Sequence, residues 1–270
     1  MNAQQLINPS WWQLGLTVGL VAIAIGVSAA RGLGLERDLA IATVRTFVQL
    51  IAIGYVLSFV FSTAHPALIV GILVLMLAVS AWTVAARQRR PTHALRLVVL
   101  ASLTSGCGLT LLLATEVILR VDPWYNPYYL IPLMGMVIGN SLNSATLAVE
   151  RLDSDLRSGR ERVEAMLALG ATSTQASAAA TRGAMKAAMI PIINSMMVVG
   201  VVSLPGMMTG QILGGSSPVM AIKYQILIMY MIAFSTAVTA FMLTTLRARA
   251  YFTTAHQLRH DMLANGDAAR

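Results

Sequence analysis

Apolar residues in this chain come in continuous blocks of roughly twenty, separated by short polar stretches, with no period-two alternation inside the blocks. At 1.5 Å per residue, roughly twenty residues is the length a helix needs to cross a ~30 Å hydrocarbon core. Lipid offers no hydrogen bonds, so every backbone N–H and C=O must be paired internally, which leaves helices or closed barrels. The missing alternation excludes the barrel. The blocks predict about seven spans, over residues 11–30, 39–61, 66–86, 95–119, 127–149, 187–208 and 218–246. Pro66 and Pro191 fall near span starts, and Pro123 and Pro127 bracket the turn before the fifth. The expected fold is all-α, a polytopic transmembrane helical bundle forming one membrane domain over 1–270.

Composition agrees: 57% of the residues are hydrophobic and 11% charged, with a mean hydropathy of +0.71. A soluble domain carries about 25% charged residues. The first block, Trp11–Ala30, has no Lys or Arg before it and is followed by Arg31, the wrong polarity for a cleaved leader, so it reads as a retained span. The single cysteine, Cys107, excludes an intrachain disulfide and offers no zinc cluster. The basic pI, about 10.2, reads as positive-inside bias and not as nucleic-acid binding. Connections 31–38, 87–96, 150–186 and 247–270 hold 16 of the 19 basic residues. With seven spans these all fall on one side, which predicts the N-terminus outside and the C-terminus inside.

The longest connection, 150–186, keeps helical order. Leu152, Leu156, Val163 and Leu167 share a stripe, and Asp153–Arg157, Arg157–Glu161 and Arg160–Glu164 are opposite charges four apart. Gly170 suits a left-handed helix end, and Thr172 with Gln175 has capping-box spacing. Two short amphipathic helices hinged at Gly170 are expected, either as a self-packed surface loop or as a docking element for a cytoplasmic partner. The 247–270 tail is expected as a helix exposing His256 and His260, a pair that lacks the Glu of a zinc-protease helix.

The runs G-M-V-I-G-N-S-L-N-S-A-T-L-A-V-E-R-L (135–152), V-E-A-M-L-A-L-G-A (163–171) and V-V-S-L-P-G-M-M-T-G-Q-I-L-G-G (201–215) resemble the bacterial iron-export ABC-transporter permeases of the FetB type, which have plant relatives implicated in aluminium tolerance. Glu164, Ala165 and Gly170 match the coupling-loop pattern of ABC importers, with Met166 in place of its second Ala. The resemblance implies a homodimeric inner (plasma) membrane permease that exports a metal ion. A separate ATPase subunit would carry ATP and Mg and dock on Leu156, Arg160, Val163, Glu164, Ala165, Leu167 and Gly170. This chain has no phosphate-binding loop: its two lysines, Lys186 and Lys223, are followed by Ala and Tyr, with no glycine loop before either.

Polar groups inside the spans are the other candidates. Arg45 and Gln49, four apart in the second span, should face the bundle, either as an interhelix clamp or as a substrate contact. Glu116, Asn140, Asn143 or a backbone carbonyl could partner Arg45. Gly135, Gly139, Asn140, Ser141, Asn143 and Ser144 suit close helix packing, including packing across a dimer. Pro205 and Gly206 should break a helix, leaving free carbonyls that with Met207, Met208, Thr209 and Gln211 line a path, or else forming an ordinary outer turn. The sixteen methionines read mostly as packing, since thioethers suit soft Cu(I) and iron prefers harder ligands. No metal ligands can be named. The competing readings are a permease for another substrate such as a nucleotide sugar, a partner-independent secondary transporter, and a membrane protein that relays ATPase motion without transport.

Overall fold

The computed structural model describes residues 10–63, 65–88, 92–259 and 262. These are helical almost throughout: α1 (Trp11–Arg31), α2 (Glu36–Thr63), α3 (Pro66–Ala86), α4 (His93–Leu103), a π-helical segment π1 (Thr104–Gly108), α5 (Leu109–Leu112), a second π segment π2 (Leu113–Ile118), α6 (Pro127–Ser158), α7 (Arg160–Ala168), α8 (Ser173–Val198), α9 (Gly206–Leu213) and α10 (Pro218–Ala250). Six stretches among the described residues are long and apolar enough to cross a bilayer: α1, α2, α3, the run from α4 through π2, α6 and α10. The remaining expected span, 187–208, is divided. Its apolar residues lie partly in α8, which starts at Ser173 and also carries Arg182 and Lys186, and partly in α9, beyond a break at 199–205.

The described residues cluster into two compact units. One is built on the α1–α2 hairpin. Gly32 and Gly34 take left-handed angles in its turn (φ 61° and 71°). The Ser28 hydroxyl donates to Glu36 at 2.8 Å and accepts from the Leu35 amide at 3.2 Å, fixing the turn across its mouth.

The other unit is organised by α6, α8 and α10, which pack on one another. Small residues make this possible. Ala176, Ala180, Ala184 and Ala188 form a buried stripe at four-residue spacing on α8, and the neighbours bury small residues of their own, Ser141, Ser144, Ala145 and Ala148 on α6 and Ser235, Thr239, Ala240 and Thr244 on α10. Without a hydrophobic drive between helices in lipid, close backbone approach maximises dispersion contact. α3 flanks α6, and α10 also meets α4 and π1. At the α3–α4 pair, the Arg96 guanidinium stacks over Trp82 at 4.0 Å.

Prolines act differently from the sequence reading at one position. Pro66 and Pro127 open helices as expected, but Pro191 lies inside α8. There it leaves no i−4 hydrogen bond to make, a loss tolerated in the interior of a helix held by neighbours.

At the end of the unit where α6, α8 and α10 leave the apolar region, Arg247 clamps Asp153. Its Nε donates to one carboxylate oxygen at 3.1 Å and its Nη2 to the other at 2.9 Å. The two side chains are only 8% and 16% exposed. Nη2 also donates to the Tyr251 hydroxyl at 3.3 Å. Burial, with the Asp153 carboxylate nearby, holds the Tyr251 phenol far above its ordinary pKa, so it stays neutral.

Removing one member of this pair strands a buried charge. Asp153→Asn or Arg247→Met should each lower unfolding stability by about 3–5 kcal/mol, and the double replacement Asp153→Leu/Arg247→Met should recover most of the loss; unfolding in detergent measures both. Gly106→Ala should also destabilise, by about 1–3 kcal/mol, because a Cβ there would meet the Thr239 hydroxyl and lie 2.8 Å from the Ser235 carbonyl oxygen.

Candidate functional site

The connection from 150 to 186 forms three pieces where two short helices were expected. α6 runs on unbroken to Ser158, Gly159 turns the chain, and α7 follows. The Gly159 amide still donates to the Asp155 carbonyl at 2.9 Å, while its own carbonyl accepts from Val163 at 3.0 Å. The break shifts Glu161 out of register with Arg157, so that expected ion pair is not made. Asp153 belongs to Arg247, and Arg157 keeps a buried Nε without a hydrogen-bond partner. Arg160–Glu164 does form at 2.7 Å, but on the surface, where such pairs contribute about 0–1 kcal/mol.

α7 ends as the sequence predicts. Gly170 is left-handed at φ 88°, with its amide on the Leu167 carbonyl and the Ala171 amide on the Met166 carbonyl, both at 3.0 Å. Thr172 and Gln175 then cap α8 reciprocally: the Gln175 amide donates to the Thr172 hydroxyl at 3.3 Å, and the Thr172 amide to the Gln175 side chain at 2.9 Å. Two stops within a few residues leave α7 as a nine-residue rod held at both ends by long helices.

The rod has an inner and an outer face. Val163 is buried in a cluster with Leu152, Leu156, Ala176, Ala180, Ala184, Tyr251, Phe252 and Leu258, and Met166 and Leu167 pack against it. Thus Leu156, Val163 and Leu167 support α7 from within. The outer face presents Glu161, Arg162, Ala165 and Ala168, and beyond them Gly170 and Leu169, the last 88% exposed.

The tail is not the expected helix over its described part. After Ala250 the chain folds back, with the Thr253 amide on the Gln257 carbonyl and the Arg259 amide on the Tyr251 carbonyl, both at 2.8 Å. In a helix, Phe252 and Leu258 would point about 120° apart; the fold-back lets both enter the cluster. His256, at φ 58°, faces the start of α8, its Nδ1 3.3 Å from the Ser173 amide and 3.0 Å from its hydroxyl. His260 lies outside the described residues.

The membrane-embedded candidates are divided between the two units. Arg45 and Gln49 lie on an exposed face of α2, and no side chain of that hairpin engages Arg45; two paired helices cover one face of each and this is another. Asn140 and Asn143 share an exposed face of α6, with the Asn140 amide donating to the Met136 carbonyl at 2.8 Å. Gly135 meets Met76.

In the 200–215 stretch the break starts earlier than Pro205. The Val198 carbonyl accepts from Val202 and Ser203, and Gly200 (φ 85°) is left-handed at the break where Gly206 is not. Pro205 instead precedes α9, its carbonyl accepting from Thr209. Turns therefore satisfy several carbonyls expected to be free, while Gln211 retains a buried side-chain oxygen without a partner. Met208 lines a cavity of about 420 Å³ with Met196, Leu204, Gln225, Met229 and Tyr230. Met207 and Gly206 are not among its lining residues.

One polar feature escaped the sequence reading. Ser141 and Ser235 share a hydrogen bond at 2.9 Å, Ser235 reaches the Cys107 sulfur at 3.4 Å, and the buried hydroxyls of Thr236 and Thr239 have no hydrogen-bond partner among the described residues. This seam runs beside π1, and π-helical insertions often sit at functional places. The four-residue spacing of Ser235–Thr239 and Thr236–Ala240–Thr244 is the signal that could have revealed it. Among the described residues, no group of three His, Cys, Asp or Glu gathers to hold a metal.

Residues 11–252 match the Uncharacterised protein family UPF0014. A UPF0014 membrane protein of Synechocystis is 42% identical over 255 residues, covering 94% of this chain and 98% of the relative. The probable iron export permease protein FetB of Escherichia coli is 34% identical over 258 residues, covering 96% and 97%. The protein ALUMINUM SENSITIVE 3 of Arabidopsis thaliana is 34% identical over 240 residues, covering 89% and 86%. No solved structure matches. With apolar helices of spanning length and relatives aligned nearly end to end, the chain belongs to the UPF0014 family of multi-pass membrane proteins.

Proposed function

We propose that this chain is the membrane subunit of an ABC transporter in the inner (plasma) membrane, that two copies work with two separate ATPase subunits binding ATP and Mg, and that the cargo exported is a metal ion, with iron first. The observation that carries the reading is α7: a short rod, anchored at Gly159 and Gly170 to α6 and α8, with its inner face packed and its outer face bare. Such an element converts a rigid-body shift of a docked partner into tilting of the helices it joins. Ala165 and Gly170 on the outer side permit close approach, while Glu161 and Arg162 offer charges that select a partner.

Iron export is carried over from the printed name of the Escherichia coli relative. In this reading α8 crosses the membrane as the sixth of seven spans, because an odd count keeps the four basic connections on the cytoplasmic side. A second copy, or a watered path between copies, covers the α6 face with Asn140 and Asn143, since amides facing lipid are unfavourable. The cargo path then passes the 200–211 segment and the cavity beside Met208 and Gln225.

Gly170→Trp and Ala165→Trp should leave insertion intact and cut ATP-driven metal efflux at least tenfold in vesicles co-reconstituted with the ATPase. Normal efflux in both, or efflux driven by an ion gradient without ATP, would overturn the assignment. A cysteine at Ala168 should react with impermeant reagents only from the cytoplasmic face.

A further inference from the structure

We propose that the cleft between α8 and α10 near Phe252 binds a phosphate group, held by Arg182 and Arg249. The cleft has a volume of about 310 Å³. One wall is a stripe of α8 on which Thr174, Ala178, Thr181, Arg182 and Met185 follow helical spacing; the other is a stripe of α10 with Thr245, Ala248 and Arg249, closed by Phe252. Arginines from two different helices thus line one cavity, and among the described residues its lining contains no carboxylate.

Among the described residues, no side chain makes an ion pair with Arg182 or Arg249, whereas Arg247, two residues away, is fully committed to Asp153. Asp155, the carboxylate that lies over Gly183, is held by Arg151 at 3.0 Å. The Ser177 hydroxyl is spent on the Ser173 carbonyl, and Ser173 faces His256, but the hydroxyls of Thr174 and Thr181 have no hydrogen bond from any described residue. Two cations and two hydroxyls without partners among the described residues, gathered around one cavity, call for an anion with several acceptor oxygens. A guanidinium fork matches phosphate in both geometry and charge.

The level of the cleft narrows the source. Arg182, and Lys186 one turn further along α8, stand where the polar connection gives way to the apolar half of that helix. Basic pockets between helices at this level hold the headgroups of anionic lipids. A free phosphate, inorganic or part of a nucleotide, has the same chemistry. Either ligand would bridge α8 to α10 beside the tail fold-back, and so stiffen the support beneath α7.

The test uses the full chain purified in neutral detergent. Native mass spectrometry counts retained phosphatidylglycerol against phosphatidylcholine, and thermal unfolding is followed while phosphatidylglycerol or inorganic phosphate is added. Wild type should retain phosphatidylglycerol preferentially. Arg182→Gln/Arg249→Gln should weaken that retention at least tenfold, each single variant falling between. Arg160→Gln, a surface cation on α7, should leave it unchanged. Circular dichroism checks that these exposed positions leave the fold intact. An arginine-dependent shift with phosphatidylglycerol alone identifies a lipid; the same shift with millimolar phosphate identifies a soluble ligand. Loss in Arg160→Gln as well, or no arginine-dependent response to either phosphatidylglycerol or phosphate, would overturn the proposal.

Discussion

The fork between Arg247 and Asp153 governs the polar end of the larger unit. A guanidinium and a carboxylate removed from water are favourable together only if both oxygens and the matching N–H groups are engaged, and here they are. That requirement fixes the rotation of α10 against α6 near their ends. With the rotation set, Tyr251 lies under the guanidinium, Phe252 enters the cluster beneath α7, and the tail must fold back to deliver Leu258 beside it. The same end of the molecule thereby gains a closed apolar floor for α7 and an open cleft between α8 and α10.

Within the apolar region the constraint is different. Hydroxyls and small side chains let α6, α8 and α10 approach closely, and serine and threonine satisfy themselves largely by bonding one turn back. Ser102, Thr110, Thr146 and Thr244 all donate to carbonyls four residues earlier. Thr236 and Thr239 do not, and Gly106 leaves no room for a Cβ against Thr239. A close helix approach therefore coincides with two unsatisfied hydroxyls and with a π-helical insertion.

The candidate functional site was legible in part. Gly170, Thr172 and Gln175 declare a helix stop and start through chemistry confined to a few neighbouring residues, and the structure has both. The division of labour along 156–170 was not legible. Leu156, Val163 and Leu167 look like a partner-facing stripe until the fold shows that α6, α8 and the tail already cover them. Arg157–Glu161 failed because a glycine between them ended the helix that i, i+4 pairing presupposes. His256 and His260 suggested a helical tail, but Phe252 and Leu258 could share one cluster only if that helix did not form.

The sequence alone determined the solvent, the helical class, the apolar blocks and the local caps, because each depends on residues within a few positions of one another. Tertiary structure decided which partner Asp153 takes, a residue 94 positions away, where the 199–205 break falls, and which face of α7 stays bare. Those outcomes are competitions between groups distant in the chain, settled by which burial leaves the fewest charges and hydrogen bonds unmatched.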